Sequence, residues 1–156
     1  MTFPIYQPAG DRGVLISYEE KIDLKINERV RLFSEVLSLR RFSWMEETVF
    51  SYRSLFVIYD PNQIRYTSAV EILKEVERQL VQSQPVLPDL YEIPTVYGGV
   101  HGPDLSRVSE RTGLSPEEVI DLYASTTFTI YFLGFLCAQP SLGGLPDRLH
   151  VPRLDH

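Results

Sequence analysis

Cysteine is nearly absent. Cys137 is the only one in 156 residues, so no disulfide can close within the chain, which fits a reducing cytosol. Histidine is scarce as well: His101, His150 and His156 lack the close spacing of a metal site, and with no second thiol to help, no metal is expected. Long apolar runs are missing. The longest, Ile130 to Ala138, falls far below the roughly 20 residues a bilayer crossing takes. Met1 to Asp11 carries no basic stretch followed by an apolar core, so it does not read as a signal peptide. Positive charge is in deficit. A net charge of -6 and a pI near 5.1 argue against a general role on nucleic acid or an anionic membrane, because phosphate binding depends on clustered Lys and Arg. The densest basic spots, Arg29/Arg31 and Arg40/Arg41, are short and read as a solvated helix face. The expectation is a soluble, cytoplasmic protein with neither a nucleic-acid nor a membrane partner.

What is there is ordinary for a globular chain: 44% hydrophobic and 23% charged residues, which rules out disorder throughout. Gly13 to Tyr18, with Val14, Leu15 and Ile16 in a row after a Gly-Asp turn signal, reads as a short buried strand. Ile26, Val30, Phe33 and Leu37 recur at helical steps, with Asp23 placed to cap. Met45 to Phe50 and Ser54 to Tyr59 read as two strands of a hairpin turning near Ser51 to Arg53, ended by Asp60-Pro61-Asn62. A second helix carries Val70, Leu73, Val76 and Leu80 on its buried stripe, and Ser68 with Glu71 has capping-box spacing. Pro85 and Pro88 then break the chain before Leu90 to Val96, a candidate fourth strand. The order strand, helix, strand, strand, helix, strand is the split βαβ pattern of an α+β, ferredoxin-like sandwich over residues 1–96.

Residues 97–156 differ in texture and are expected to pack on the same core, as one compact unit, with an appended helical segment and strand. Asp104 is placed to cap a short helix ending at Gly113. Ser115-Pro116-Glu117-Glu118 is a strong helix start, running to about Ala124. Thr126 to Leu133 reads as a strand, and Gln139 to His156 as loop.

No G-x-S-x-G elbow or phosphate-binding G-x-x-x-x-G-K-[ST] is present, and Cys137 reads as a buried structural thiol. The loop Tyr97-Gly98-Gly99-Val100-His101-Gly102-Pro103-Asp104-Leu105 is the most unusual local feature. Its glycines permit positive φ and close approach, and exposed amides there suit an anion such as a carboxylate; a tight connector is the plainer alternative. Gly134 to Gly144 is the second candidate, a loop able to close over a ligand or an ordinary exit from a sheet.

In order along the chain, these motifs carry a family resemblance. Tyr97 to Leu105 resembles the Y-G-G-x-x-G-P-D-L signature of the family that contains the B-type subunit of 5-oxoprolinase, allophanate hydrolase subunit 1 and the inhibitor of sporulation kinase A. Gly10-Asp11 followed by Val14-Leu15-Ile16 is similar to its opening G-D-x-x-[AV]-L-[LV]. Ser51-Tyr52-Arg53-Ser54-Leu55 through Tyr59-Asp60-Pro61 resembles its P-[SA]-Y-x-S-L-x-V-x-[YF]-D-P stretch, and Leu114 to Ile120 its L-S-x-E-E-V-I helix start. Gly134-Phe135, Leu142-Gly143-Gly144-Leu145-Pro146 and Pro152-Arg153 fit its G-F-x-P-G-F-x-Y-L-G-G-L-P and P-R elements. Two positions depart: Tyr123 stands where the family helix ends in histidine, and Cys137 to Ser141 where it has P-G-F-x-Y.

The resemblance implies the amino-terminal domain of this family, with its cyclophilin-like second domain absent from a chain that stops at His156. It implies a non-autonomous subunit of an ATP-dependent amidohydrolase that opens a cyclic or ureido amide together with a cyclophilin-like companion subunit. No cofactor is then bound by this chain alone, ATP enters with the full complex, and activity in isolation is not expected. The loops facing substrate or partner would be Tyr97, Gly98, Gly99, Gly102, Pro103, Asp104, Gly134, Phe135, Gly143, Gly144 and Arg153, with Tyr97 and Phe135 as exposed aromatic contacts; the catalytic groups are not identified. The alternative is a regulatory protein that binds and inhibits a sensor histidine kinase. A ferredoxin-like sheet also leaves edges on which a self-dimer could form.

Overall fold

The computed structural model describes residues 3–80, 89–134 and 139–153. They divide into two compact units, Met1–Val86 with Tyr131–Ser141, and Leu87–Ile130 with Leu142–His156. Among the described residues, no helix is long and apolar enough to cross a membrane.

The first unit contains β1 (Ile5–Pro8), β2 (Gly13–Ser17), α1 (Leu24–Arg40), β3 (Met45–Phe50), β4 (Ser54–Tyr59) and α2 (Tyr66–Arg78). Its sheet runs β1-β2-β4-β3, every neighbour antiparallel. Alternation sends Val14 and Ile16 of β2, and Leu55, Val57 and Tyr59 of β4, into one core. The register sets Val14 against Val57 and Ile16 against Leu55. Val30, Phe33 and Leu37 of α1 and Val70, Leu73 and Val76 of α2 close that core, so the expected α+β sandwich with both helices packed on one sheet holds. Each such side chain, fully buried, contributes about 1.5–3 kcal/mol.

Two local expectations are corrected. The strand beside β2 is β1, at the amino terminus; Leu90 to Val96 forms no strand. β1 reaches β2 through a tight turn at Gly10 (φ 68°), with Ala9 N donating to Gly13 O at 3.0 Å, and so short a loop costs little closure entropy. Pro94 lacks the N–H that a paired position would require. The second helix begins at Tyr66, with Arg65 at the cap position and no side-chain capping bond, so Ser68 and Glu71 form no capping box. Ile64 and Tyr66 pack against the core, and that burial outweighs a cap worth about 1 kcal/mol.

α1 is capped as expected, Asp23 Oδ1 accepting from Lys25 N (2.9 Å) and Ile26 N (3.2 Å). It ends at Arg41, a non-glycine residue in left-handed conformation (φ 47°, ψ 52°).

The second unit holds α3 (Leu105–Thr112), α4 (Pro116–Ala124) and single tight helical turns at Gly99–His101 and Asp147–Leu149. Ser115 and Glu118 form the expected capping box, Ser115 N donating to Glu118 Oε2 at 2.7 Å and Glu118 N to Ser115 Oγ at 3.2 Å. Its core is small: Leu114, Val119 and Leu149 are buried, with Leu105, Val108 and Leu122 packed on them.

β5 (Thr129–Leu133) pairs with β6 (Pro140–Gly143), and the chain passes between the units within these two strands. β6 corrects the expectation of loop from Gln139 onward. With proline first and glycine last it has almost no strand signature, but proline is tolerated at a strand's first position. Pro85, Pro88 and Cys137 lie outside the described residues.

Candidate functional site

The glycine-rich loop is built as a closed turn within the second unit. Gly98 (φ 76°, ψ -178°) and Gly99 (φ 55°) take backbone conformations that a Cβ disfavours. Gly102 N then donates to Gly98 O at 3.0 Å, and Leu105 N to Gly102 O at 3.2 Å. A Cβ on Gly102 would lie 2.5 Å from Gly98 N, so glycine is required there by contact. Tyr97, Gly98, Gly99, Gly102, Pro103 and Asp104 are thus brought together as one element leading into α3.

Tyr97 is half-buried, a correction to its expected exposure. Its ring meets Tyr123 edge-on at 6.2 Å between centroids, and Tyr123 in turn lies 4.8 Å from Phe128. The residue standing where the family helix ends in histidine therefore braces the glycine turn. Asp104 occupies the cap position of α3 but makes no capping bond, another correction. Its Oδ1 lies 3.7 Å from Arg107 Nε, a buried atom with no hydrogen-bond partner among the described residues.

Gly143 ends β6, and Gly144 follows at φ 99°, where an added Cβ would lie 3.5 Å from Thr127 O. Arg153 is exposed. Gly134 belongs to the first unit, where its N donates to Gln139 O at 2.7 Å. Phe135 lies outside the described residues.

Three further constellations involve none of the residues expected to face substrate or partner. Asn27, buried on α1, donates from Nδ2 to Ser51 O (3.1 Å) and Tyr52 O (3.3 Å), while Arg53 Nη1 donates to Tyr18 O (3.0 Å). These bonds fix the hairpin turn that presents Tyr52 to Tyr131 (5.1 Å) and Phe132 (4.9 Å). Near it, Tyr18, Arg29 and Glu77 line a cleft of about 300 Å³ with Glu19, Ile26 and Pro4. Glu77 Oε1 accepts from Arg29 Nε (2.7 Å) and from the Tyr18 hydroxyl (3.2 Å), which corrects the reading of Arg29 as merely solvated. Burial, reinforced by the Glu77 carboxylate, pushes the phenols of Tyr18 and Tyr6 above their ordinary range. In the second unit, a more open cleft of about 510 Å³ is lined by Leu114, Glu118, Asp121, Leu122, Ser125 and Arg148.

The carboxyltransferase domain, subdomain C and D, family matches residues 4–156. A B-type 5-oxoprolinase subunit from Bacillus subtilis (strain 168) is 33% identical over 92% of this chain and 64% of its own length. One of the same name from Escherichia coli O157:H7 is 31% identical over 92% of this chain and 65% of its own. The crystal structure of TTHA0988 in space group P212121 superposes with a TM-score of 0.76 at 29% identity, over 93% of this chain and 28% of that one. The chain thus spans somewhat less than two thirds of these two curated relatives, and its mixed α/β architecture is shared with part of the TTHA0988 structure.

Proposed function

The chain belongs to the carboxyltransferase domain, subdomain C and D, family, and from that premise we propose that it is a non-autonomous subunit of an ATP-dependent amidohydrolase of the 5-oxoprolinase type. The observation that carries this reading is the glycine turn Tyr97–Leu105. Its steric requirements match the residues that make the family signature, and it lies within a chain similar over 92% of its length to two proteins named as the B-type subunit of 5-oxoprolinase. Such a turn offers shape and backbone amides, which orient a carboxylate or a polarised carbonyl. The acid–base and phosphoryl-transfer groups then come from a companion subunit. In the complete reaction, water opens the lactam C–N bond of 5-oxoproline to give glutamate while ATP is split to ADP and phosphate.

The test is glutamate release from 5-oxoproline, with and without ATP, by the chain alone and by the chain mixed with companion subunits. No release by the chain alone and ATP-dependent release by the mixture are expected. A mixture that neither assembles nor turns over contradicts the proposal. One observation favours a regulatory reading as the alternative: Tyr123 braces the turn from the position where the family helix ends in histidine. An autophosphorylation rate of a sensor histidine kinase that the chain leaves unchanged counts against that alternative.

A further inference from the structure

The first unit holds a cleft of about 300 Å³ in which charged groups are packed rather than left in water. Of its lining residues, Glu77 is 7% exposed and Tyr18 6%. Arg29 reaches it from α1 and Glu19 from the segment after β2, while Phe3, Pro4 and Ile26 supply apolar surface. This size stands at the lower end of ligand pockets, about 300–1,000 Å³, which likewise combine apolar walls with a few convergent polar groups. In the wider cleft of the second unit, by contrast, Glu118, Asp121, Ser125 and Arg148 are all exposed, so water already serves their polar groups.

The bonds around this cleft leave capacity on both signs of charge. Glu77 Oε1 accepts from Arg29 Nε (2.7 Å) and from the Tyr18 hydroxyl (3.2 Å), and the Glu77 carbonyl accepts from Arg29 Nη2 (3.3 Å). None of these bonds uses Arg29 Nη1 or Glu77 Oε2. Glu19 meets Lys21 at 3.1 Å with both side chains 54% exposed, a pairing that contributes little and exchanges easily. We propose that the cleft binds a free α-amino acid with an apolar side chain. Its carboxylate would meet Arg29 Nη1, its ammonium Glu19 and Glu77 Oε2, and its side chain Phe3, Pro4 and Ile26. The charges define this class: two carboxylates, Glu19 and Glu77, stand against one guanidinium, Arg29. A simple anion meets the carboxylates and a simple cation meets Arg29, whereas a zwitterion answers both. A second carboxylate on the ligand, as in glutamate, finds no further cation in the lining, so acidic amino acids are rejected. No residue of the glycine turn lines this cleft, and the site stands whether or not the chain serves a hydrolase.

Calorimetric titration of the full chain tests this, with free leucine as the probe and the melting temperature as a second readout. N-acetylleucine, which lacks the ammonium, leucinamide, which lacks the carboxylate, and glutamate are the comparisons. Leucine at about 10 mM should raise the melting temperature, and each comparison compound should bind about ten-fold more weakly or worse. Glu19→Gln and Arg29→Lys should each weaken leucine binding by a similar factor. Glu19→Gln, at an exposed position, should do so without moving the melting temperature of the ligand-free chain. Absence of leucine binding overturns the proposal, as does binding of N-acetylleucine, leucinamide or glutamate as tight as that of leucine. Leucine binding that survives in both variants also overturns it, by placing the amino acid elsewhere on the chain.

Discussion

Arg29 of α1 and Glu77 of α2 meet with Nη2 2.6 Å from Oε1, and the carboxylate's side chain is only 9% exposed. The same oxygen accepts the Tyr18 hydroxyl, so one buried acceptor ties both helices to the end of β2. Removing one member of a buried pair costs about 3–5 kcal/mol when the other stays trapped. Here Arg29 has 36% of its side chain exposed and can turn to water, which lowers the penalty. Glu77→Ala should therefore lose about 2–3 kcal/mol, read from the urea midpoint. A loss below about 0.5 kcal/mol would show the pair to be ornamental.

Tyr18 gives that cluster a pH dependence. Burial first, and the Glu77 carboxylate second, hold its phenol above the ordinary range in the folded chain. The unfolded chain releases this proton near pH 10, while the folded chain keeps it. Stability should be insensitive to this group below about pH 10 and fall above it, by at most about 1.4 kcal/mol per pH unit. Phenolate absorbance should rise together with the loss of helical signal. Tyr18→Phe should flatten the alkaline slope; a slope unchanged by that substitution would assign the effect to another group.

Legibility in the sequence followed locality. The α1 stripe, the Asp23 cap and the Ser115–Glu118 box stand out because each is written within one or two helical turns. β1 and β6 do not, because four residues are too few to show a period and pairing alone makes them strands. Leu90–Val96 errs the other way: its composition suits a strand, yet the place beside β2 is filled by a neighbour only one turn away. At the candidate site, the glycine turn was legible because glycine marks backbone shape. Glu77 was not, because the partner that makes it informative lies 48 residues away.

The exit from α1 offers a stabilising change. Arg41 sits at φ 47°, ψ 52°, where a side chain costs about 1–2 kcal/mol relative to glycine. Glycine adds entropy to the unfolded chain and offsets part of this. Arg41→Gly should raise stability by about 0.5–1 kcal/mol, measured as a higher melting temperature. A lower melting temperature would mean that Arg41's own contacts outweigh the strain.

Gly98 and Gly102 separate two reasons for glycine in the candidate site. At Gly98 the demand is conformational: with φ 76° and ψ -178°, an alanine should cost about 1–3 kcal/mol of local strain. At Gly102 φ is -144°, acceptable to any residue, and the demand is steric, because the added Cβ would meet Gly98 N at 2.5 Å. Gly102→Ala must therefore open the turn and break its bond to Gly98 O, which should speed exchange of the Gly99–Leu105 amides and leave those of β2 and β4 untouched. If the turn orients substrate in the proposed assembly, both variants should bind companion subunits normally and lose turnover about 100-fold or more, since small misplacements near the reacting groups are that costly. Full turnover by Gly102→Ala, with the exchange change present, would place the reacting groups elsewhere.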